Sequence, residues 1–388
     1  MRHTNTTFSS LPRPPSIDKS GFMARVNEAR KQLSVQNTDA LILVAGINMR
    51  YFCGLAWPLT ERFVGAVITA QDVMFICPRF EQSAIKAALN TDGEFLFWQE
   101  DENPSEVVAR FLHHKNLRSV AVDPKCPLWL FEQLQSALPA MSLRSAVSLI
   151  GNLRARKNKQ ELDLIQYAMS LTLTVHERAY AYLQAGRRAS EVIRFIDEQH
   201  RQLGADNGSY FCTVQFGEGT SHPHGVPGDP VLHDDTLVLI DTGCQVDGYH
   251  SDITRTYGFG QVSDRISDMW EIEKAAQAAA FAAAKPGVPC AHIDQAARDL
   301  LKQKGLGPDY ELPGLPHRTG HGIGLEIHEG PYLVRGDNTP LQPGMCFSNE
   351  PMIVVPGEFG VRLEDHFYVT HDKAQWFTPL QKSLYSPF

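Results

Sequence analysis

The stretch "LVLIDTGCQVDGYHSDITRTY", residues 237–257, decides how this chain is read. Asp247-Gly248 is a strong two-residue hairpin signal, because both residue types accept the positive φ that such turns require. With the turn there, Val246 faces Tyr249, and pairing runs outward until Asp241 lies opposite Thr254. Asp252 is two residues from Thr254 and therefore shares a face with Asp241. The β-carbons of the two aspartates are then diagonal neighbours, up to ~7–8 Å apart. A slip of one residue would put them on opposite faces.

The same construction applies to "CFSNEPMIVVPGEFGVRLEDHFYV", residues 346–369. A loop at Pro356–Gly360 sets Val355 opposite Val361 and Glu350 opposite His366. Glu364 and Arg362 then share a face with Glu350, and Asp365 points the other way. Between the hairpins lies "HRTGHGIGLEIHEGP", residues 317–331, with three histidines in a glycine-studded run. It contains no HExxH, and its glycines disfavour a helix by ~1 kcal/mol each. Histidines in such a backbone suit ligands, acid/base groups or plain polar loop residues.

A single strand-face carboxylate is ordinarily solvated. Four of them beside apolar strand residues, with a histidine run between, call for another explanation. Four carboxylates and an imidazole form a hard, oxygen-rich set that suits Mn, Fe or Co. Two divalent ions would balance the four negative charges, whereas without metal the carboxylates repel and shift one another's pKa. Paired ions ~3.5–4 Å apart lower the pKa of bound water towards ~7.

Length and composition set the frame. A chain of 388 residues favours two domains. A net charge of −8 gives no electrostatic case for nucleic acid or an acidic membrane as partner. Seven scattered cysteines with no CxxC fit reduced thiols and a cytoplasmic location. Residues 1–20, "MRHTNTTFSSLPRPPSIDKS", show no apolar signal segment. No apolar run approaches the ~20 residues of a membrane span. From Asp39 to Pro124, strand-like runs ("ALILVA", "FVGAVITA", "VMFICP", "EFLFW", "SVAVD") alternate with helical ones. An α/β domain is expected over 1–151. The basic stretch "GNLRARKNKQE" (151–161) marks the boundary, and an α+β domain follows over 152–388. Helices are expected at about 159–184, 190–203, 264–284 and 291–303.

Taken together, "IDTG", "SDITRTY", "HRTGHGIGLEIHE", "NEP" and "GVRLED" resemble the pita-bread metallopeptidases. The likeness is to the prolidase and aminopeptidase P branch. "INMRYFCGLAWPLTER" resembles the N-x-x-Y-x-x-G run of the creatinase-type N-terminal domain. The resemblance implies an α+β pita-bread catalytic domain preceded by a smaller α/β creatinase-type domain. It places metal ligands at Asp241, Asp252, His321, Glu350 and Glu364, with Asp252 and Glu364 bridging. Glu350 is also implied as general base. His224 corresponds to a substrate-contacting proton shuttle, and His328 to the histidine that stabilises the tetrahedral intermediate. His317 and Arg362 correspond to residues of the proline pocket that hold the substrate carboxylate.

The implied cofactors are two divalent ions per chain, manganese foremost, with cobalt, iron or zinc accommodated. The implied partners are short proline-containing peptides and a second copy of the chain. The expected reaction is hydrolysis of Xaa-Pro dipeptides. Its alternatives are aminopeptidase P action on longer peptides, methionine removal, and a metal-dependent hydrolase or lyase reaction on a small molecule. A non-catalytic binder would ordinarily have lost ligands. One departure stands out: relatives read "EPG" where this chain has "NEPMIVVPGEFG", with Met352 in the glycine position.

Overall fold

The structure, a computed structural model, describes residues 12–388. The first eleven residues of the N-terminal stretch read for a signal lie outside them. The chain divides into two compact units, Ile17–Arg154 and Ala155–Phe388, the latter including the described residues up to Ser16. The break falls at 154/155 rather than 151/152, because the basic stretch is not a loop throughout. Gly151 to Ala155 complete a helix, Val147–Ala155, whose Leu149 and Ile150 are buried. The next helix starts at Lys159, where Asn158 and Glu161 form a reciprocal capping box.

In the smaller unit, six strands form one mixed sheet: β1 (Ala40–Val44), β2 (Gly65–Thr69), β3 (Val73–Pro78), β4 (Glu94–Trp98), β5 (Ser119–Val122) and β6 (Ser142–Ser145). Their order is β4-β3-β2-β1-β5-β6. The helices are α1 (Lys19–Val35), α2 (Ile47–Cys53), α3 (Gln82–Ala88), α4 (Pro104–His114), α5 (Leu128–Ala137) and α6 (Val147–Ala155). Ile42, Val44, Val67 and Ile76 pack on Leu112 of α4 and Leu130 and Leu134 of α5. Leu41 and Leu43 are buried on the opposite face. A central strand covered on both sides reads as a continuous apolar run. That is why "ALILVA" shows no alternation. Helix α1 begins before the expected domain pattern. Its buried Phe22, Val26, Ala29 and Leu33 recur at the helical period.

In the larger unit, α7 (Lys159–Tyr182) and α8 (Ala189–Leu203) cover a sheet of β7 (Ser209–Phe216), β8 (Thr236–Val246), β9 (Tyr249–His250) and β10 (Ile253–Phe259). Helices α9 (Asp264–Ala283) and α10 (Cys290–Gln303) cover the second layer. That layer holds β11 (Gly320–Gly322), β12 (Glu329–Leu333), β13 (Cys346–Asn349), β14 (Met352–Val355), β15 (Phe359–Arg362), β16 (Asp365–Val369) and β17 (Ala374–Trp376). It forms a five-stranded sheet, β12-β11-β13-β16-β17, with β14 and β15 paired apart. Trp270, Ala276, Ile293 and Ala297 meet Phe347, Ile353, Val361 and Phe367 in one core. Each large apolar side chain buried there contributes ~1.5–3 kcal/mol.

The first hairpin forms in the expected register, with Val246 opposite Tyr249 and Thr254 opposite Asp241. The second does not. Val355 pairs with Phe359, not Val361, and Ser348 rather than Glu350 lies opposite His366. Its turn is shorter because Gly357, with φ +70°, is the turn glycine. Gly360 lies within β15, where a Cβ would come 2.3 Å from the Thr220 carbonyl oxygen. The error is two residues, so Glu350 and Glu364 keep a common face. An isolated bridge between Thr254 and Glu364 joins the two layers, and the site is built at that seam.

Candidate metal centre and active site

The bridge brings the hairpins together through the backbone: Glu364 N donates to Thr254 O at 3.1 Å. The Thr254 hydroxyl donates to Glu364 Oε2 at 2.8 Å. Arg255 fixes the same junction from below, donating to Glu364 O at 2.9 Å and pairing with Asp365 at 2.7 Å. Asp365 points away from the site, as the strand alternation requires. Gln277 of α9 bonds the carbonyls of Asn349 and Leu363, steadying both strands of the second hairpin.

His321 stands between the hairpins. Its Nδ1 lies 3.0 Å from the Gly322 carbonyl, which can only accept. A ring proton therefore sits on Nδ1, and Nε2 is the nitrogen turned towards the carboxylates. That Nε2 lies 3.1 Å from Glu350 Oε1, 3.7 Å from Asp252 Oδ2 and 4.0 Å from Glu364 Oε1. Ser348 supports both partners, accepting from His321 N and donating to Glu350 Oε1. Asp252, His321 and Glu364 are almost wholly enclosed. Glu350 and Asp241 keep 14% and 15% side-chain exposure, so the site opens on their side.

Burial, reinforced by the neighbouring carboxylates, holds Asp252 and Glu364 well above the usual carboxylate range. Burial also raises Asp241, against the pull of Arg362. Glu350 goes the other way: burial opposes ionisation, but the hydrogen bond and charge of His321 outweigh it. Asp241 Oδ1, Asp252 Oδ1 and Glu364 Oε1 are buried without a hydrogen-bond partner among the described residues. Interior oxygens are ordinarily satisfied, and an orphaned one costs ~1–3 kcal/mol. Three of them converging on an imidazole nitrogen that can give up its proton fit cations. The donor set is oxygen-rich with one imidazole, which suits hard or borderline divalent ions.

The remaining expected residues fall around the open side. His328 is exposed, with its ring 4.1 Å from that of His321. Burial, then His321, lowers its pKa to about 4, so it is neutral at pH 7. His317 bonds the Arg318 carbonyl through Nδ1 at 2.7 Å, leaving Nε2 buried and unpartnered. His224 sits on an exposed loop over a cavity of about 810 Å³, lined also by Cys212, Thr213, Gln215 and His222. His224 is within electrostatic reach of His317 and His328, and no hydrogen bond ties it to the carboxylates.

Arg362, expected at the substrate carboxylate, is engaged by protein groups. Its guanidinium donates to Thr254 Oγ1, to Pro223 O and, at 2.5 Å, to Asp241 Oδ2, and the residue is 3% exposed. Engaged on these sides, it braces Asp241 from beneath and offers no open fork to a substrate carboxylate. Met352, in the position of the missing glycine, is buried against Gly360 and Arg362.

Two groups escaped the sequence reading. Arg318 is half-buried, stacks over Tyr332 at 4.3 Å and has no carboxylate partner among the described residues. It lies within electrostatic reach of His328. Its place between His317 and Thr319 was the available signal. The other is His366, buried beside Glu364, which alternation along β16 puts on the same face.

The loop that presents Arg318 is clamped by α10. Asp294 accepts from Thr319 N and Oγ1, and its partner Arg298 donates to the carbonyls of Leu315 and His317. Thr319 O in turn accepts from Glu350 N at 2.8 Å.

The family models agree with this construction. Residues 163–371 match metallopeptidase family M24, and residues 25–156 match the creatinase/prolidase N-terminal domain. An uncharacterized peptidase of Staphylococcus aureus (strain USA300) is 32% identical over 362 residues, covering 93% of this chain and 100% of that protein. The crystal structure of dipeptidase PepE from Mycobacterium ulcerans superposes with a TM-score of 0.87 at 30% identity, covering 96% of this chain and 100% of that one. An Xaa-Pro dipeptidase from Bacillus anthracis superposes with a TM-score of 0.83 at 27% identity, covering 94% and 99%. The chain belongs to metallopeptidase family M24, with the pita-bread catalytic fold behind a creatinase-type N-terminal domain, and is a metallo-exopeptidase.

Proposed function

We propose that the chain hydrolyses the Xaa-Pro bond of dipeptides with two divalent ions held by Asp241, Asp252, His321, Glu350 and Glu364. The observation that carries this is the convergence of those five side chains, three orphaned oxygens among them, beside the unpaired cation of Arg318. Bound ions, manganese foremost for so hard a set, would supply acidified water and a polarised scissile carbonyl.

The chain's own residues divide the remaining work. Glu350, ionised and at the open edge, is placed to accept a proton and deliver it to the leaving imino nitrogen. His328 is neutral and exposed, and can donate a hydrogen bond to charge developing on the carbonyl oxygen. His224 approaches from its loop on the substrate side. His317 Nε2 and the Arg318 fork are available for the substrate carboxylate. Arg362 holds Asp241 in place. A free cation within electrostatic reach of His328 suits a substrate with a nearby carboxylate and so favours a dipeptide over a longer chain.

Cytoplasmic location is supported by seven free cysteines, and a homodimer by the family resemblance. Among the described residues, no helix is long and apolar enough to cross a membrane.

The test is release of the N-terminal residue from Ala-Pro and Ala-Pro-Ala in parallel by manganese-loaded protein, with a chelated control. Chelator-sensitive cleavage mainly of Ala-Pro is the expected result. Cleavage mainly of the tripeptide would make the enzyme an aminopeptidase P. No cleavage of either, with metal bound, would move the reaction to a small molecule.

A further inference from the structure

Five residues account for the proposed ion pair, yet a further imidazole stands among them. His366 is wholly buried and lies two residues beyond Glu364 on the same strand face. One of its ring nitrogens belongs to a group with ligand atoms of Asp252, His321 and Glu364, all within 4.8 Å of one another. Among the described residues neither ring nitrogen meets a partner in full hydrogen-bond geometry; the Asp252 backbone comes near enough only to pull weakly on the ring, which leaves a nitrogen free for a ligand role. Interior imidazoles are ordinarily satisfied, so an orphan here points to a missing neighbour.

The separations say what kind of neighbour. His366 Nε2 lies 4.0 Å from Glu364 Oε1, which is orphaned as well. A hydrogen bond would close that gap to ~3 Å. Two ligands on one ion, each bonded at ~2.0–2.2 Å, stand about 3–4.4 Å apart. The His321 and His366 rings are 5.9 Å apart between centroids, tilted at 65°, as two imidazoles converging on a common point would be.

We propose that His366 is a ligand of the ion shared by Asp252, His321 and Glu364. This rests on the metal-pair reading above. It gives that position two imidazoles, while its neighbour stays oxygen-rich through Asp241 and the shared carboxylates. The two positions then differ in preference: the His321–His366 position favours zinc or cobalt, and the other favours manganese.

The experiment compares wild type, His366→Leu and His366→Gln, each stripped of metal and titrated with cobalt(II). Visible absorption reports the coordination, and elemental analysis reports the content. A parallel uptake from an equimolar mixture of zinc and manganese reads the preference. Metal-free melting temperature checks that each variant folds. Both variants are expected to lose about tenfold to hundredfold in affinity at one position, a span known for removal of groups that only support a ligand. Their visible bands should shift, and zinc uptake should fall relative to manganese. Leu and Gln variants with wild-type spectra and affinities would overturn the proposal. A wild-type response from His366→Gln alone would also overturn it, making the ring a hydrogen-bond partner of Glu364. Wild type that binds less than one cobalt per chain would instead overturn the ion pair itself, and the proposal with it.

Discussion

The two hairpins do the same job by different construction. The first is one register from its Asp247-Gly248 turn to the end of β10. The second is interrupted: β13 and β16 pair in the main sheet, and β14 and β15 pair apart from it. The interruption falls at Glu350-Pro351 on one strand and at Leu363-Glu364 on the other, where the glutamates enter the site. Proline has no N–H and cannot carry a ladder across that point. Their backing differs too. Behind the first hairpin, His176 meets Ile253 O at 2.9 Å, and a chain of hydrogen bonds runs from His200 through Thr172 to Ser251. The second is backed by the Arg255–Asp365 ion pair and Gln277. A site can be split between a regular and an irregular frame, provided both keep strand alternation.

If the hairpins build one site, they fail together. Asp252→Asn and Glu364→Gln should each lose metal by more than ~100-fold in affinity, and hydrolysis with it. Elemental analysis checks this; full metal retention in either variant would separate the hairpins. Acid should strike both hairpins, the second through His366 of β16, which burial holds well below the usual imidazole range. Burial holds His200 and His176 neutral, with pKa values of about 4 and about 3. The unfolded chain takes up those protons near 6.5. Stability is therefore complete above that pH and drains as pH falls towards 4, by roughly 2 kcal/mol for each histidine at pH 5. Hydrogen exchange of the metal-free protein at pH 7 and 5 should show the loss in α7, α8 and β10 and in β16, and unchanged protection at pH 5 would contradict it.

The glycines sharpen the contrast within the second hairpin. Gly360→Ala forces a Cβ onto a fixed carbonyl and should destabilise by ~1–3 kcal/mol, shifting β15 and Arg362. Gly357→Ala strains only the turn, about 1 kcal/mol, and should leave hydrolysis intact. Denaturant melts of the two variants decide which glycine turns and which packs. The smallest effect belongs to the loop between the hairpins. Thr319→Val removes one hydrogen bond to Asp294, worth ~1 kcal/mol. It should raise KM for Ala-Pro by about fivefold with kcat nearly unchanged, while Thr319→Ser behaves as wild type.

What was legible follows from the same physics. Facing depends on parity, so all four carboxylates were placed although one register was wrong by two residues. Helices α8 and α10 were legible because their apolar stripe recurs at the helical period, and α9 because it is rich in alanine, the strongest helix former. Turn length was not, since Gly357 and Gly360 look alike until Thr220 is seen beside one of them. The surroundings of Arg362 were illegible for a related reason. Which arginine is already spent depends on Asp241, Thr254 and Pro223 arriving from elsewhere in the chain. His366 lay in plain view on the correct face. It was passed over because neighbours, not spacing, reveal an unpartnered ring.

The most direct measurement is metal content per chain after stripping, reconstitution with manganese and exhaustive dialysis. About two ions per chain are expected for wild type, and none retained by Asp252→Asn. Less than one ion per wild-type chain would contradict a shared dinuclear site built from the two hairpins and His321.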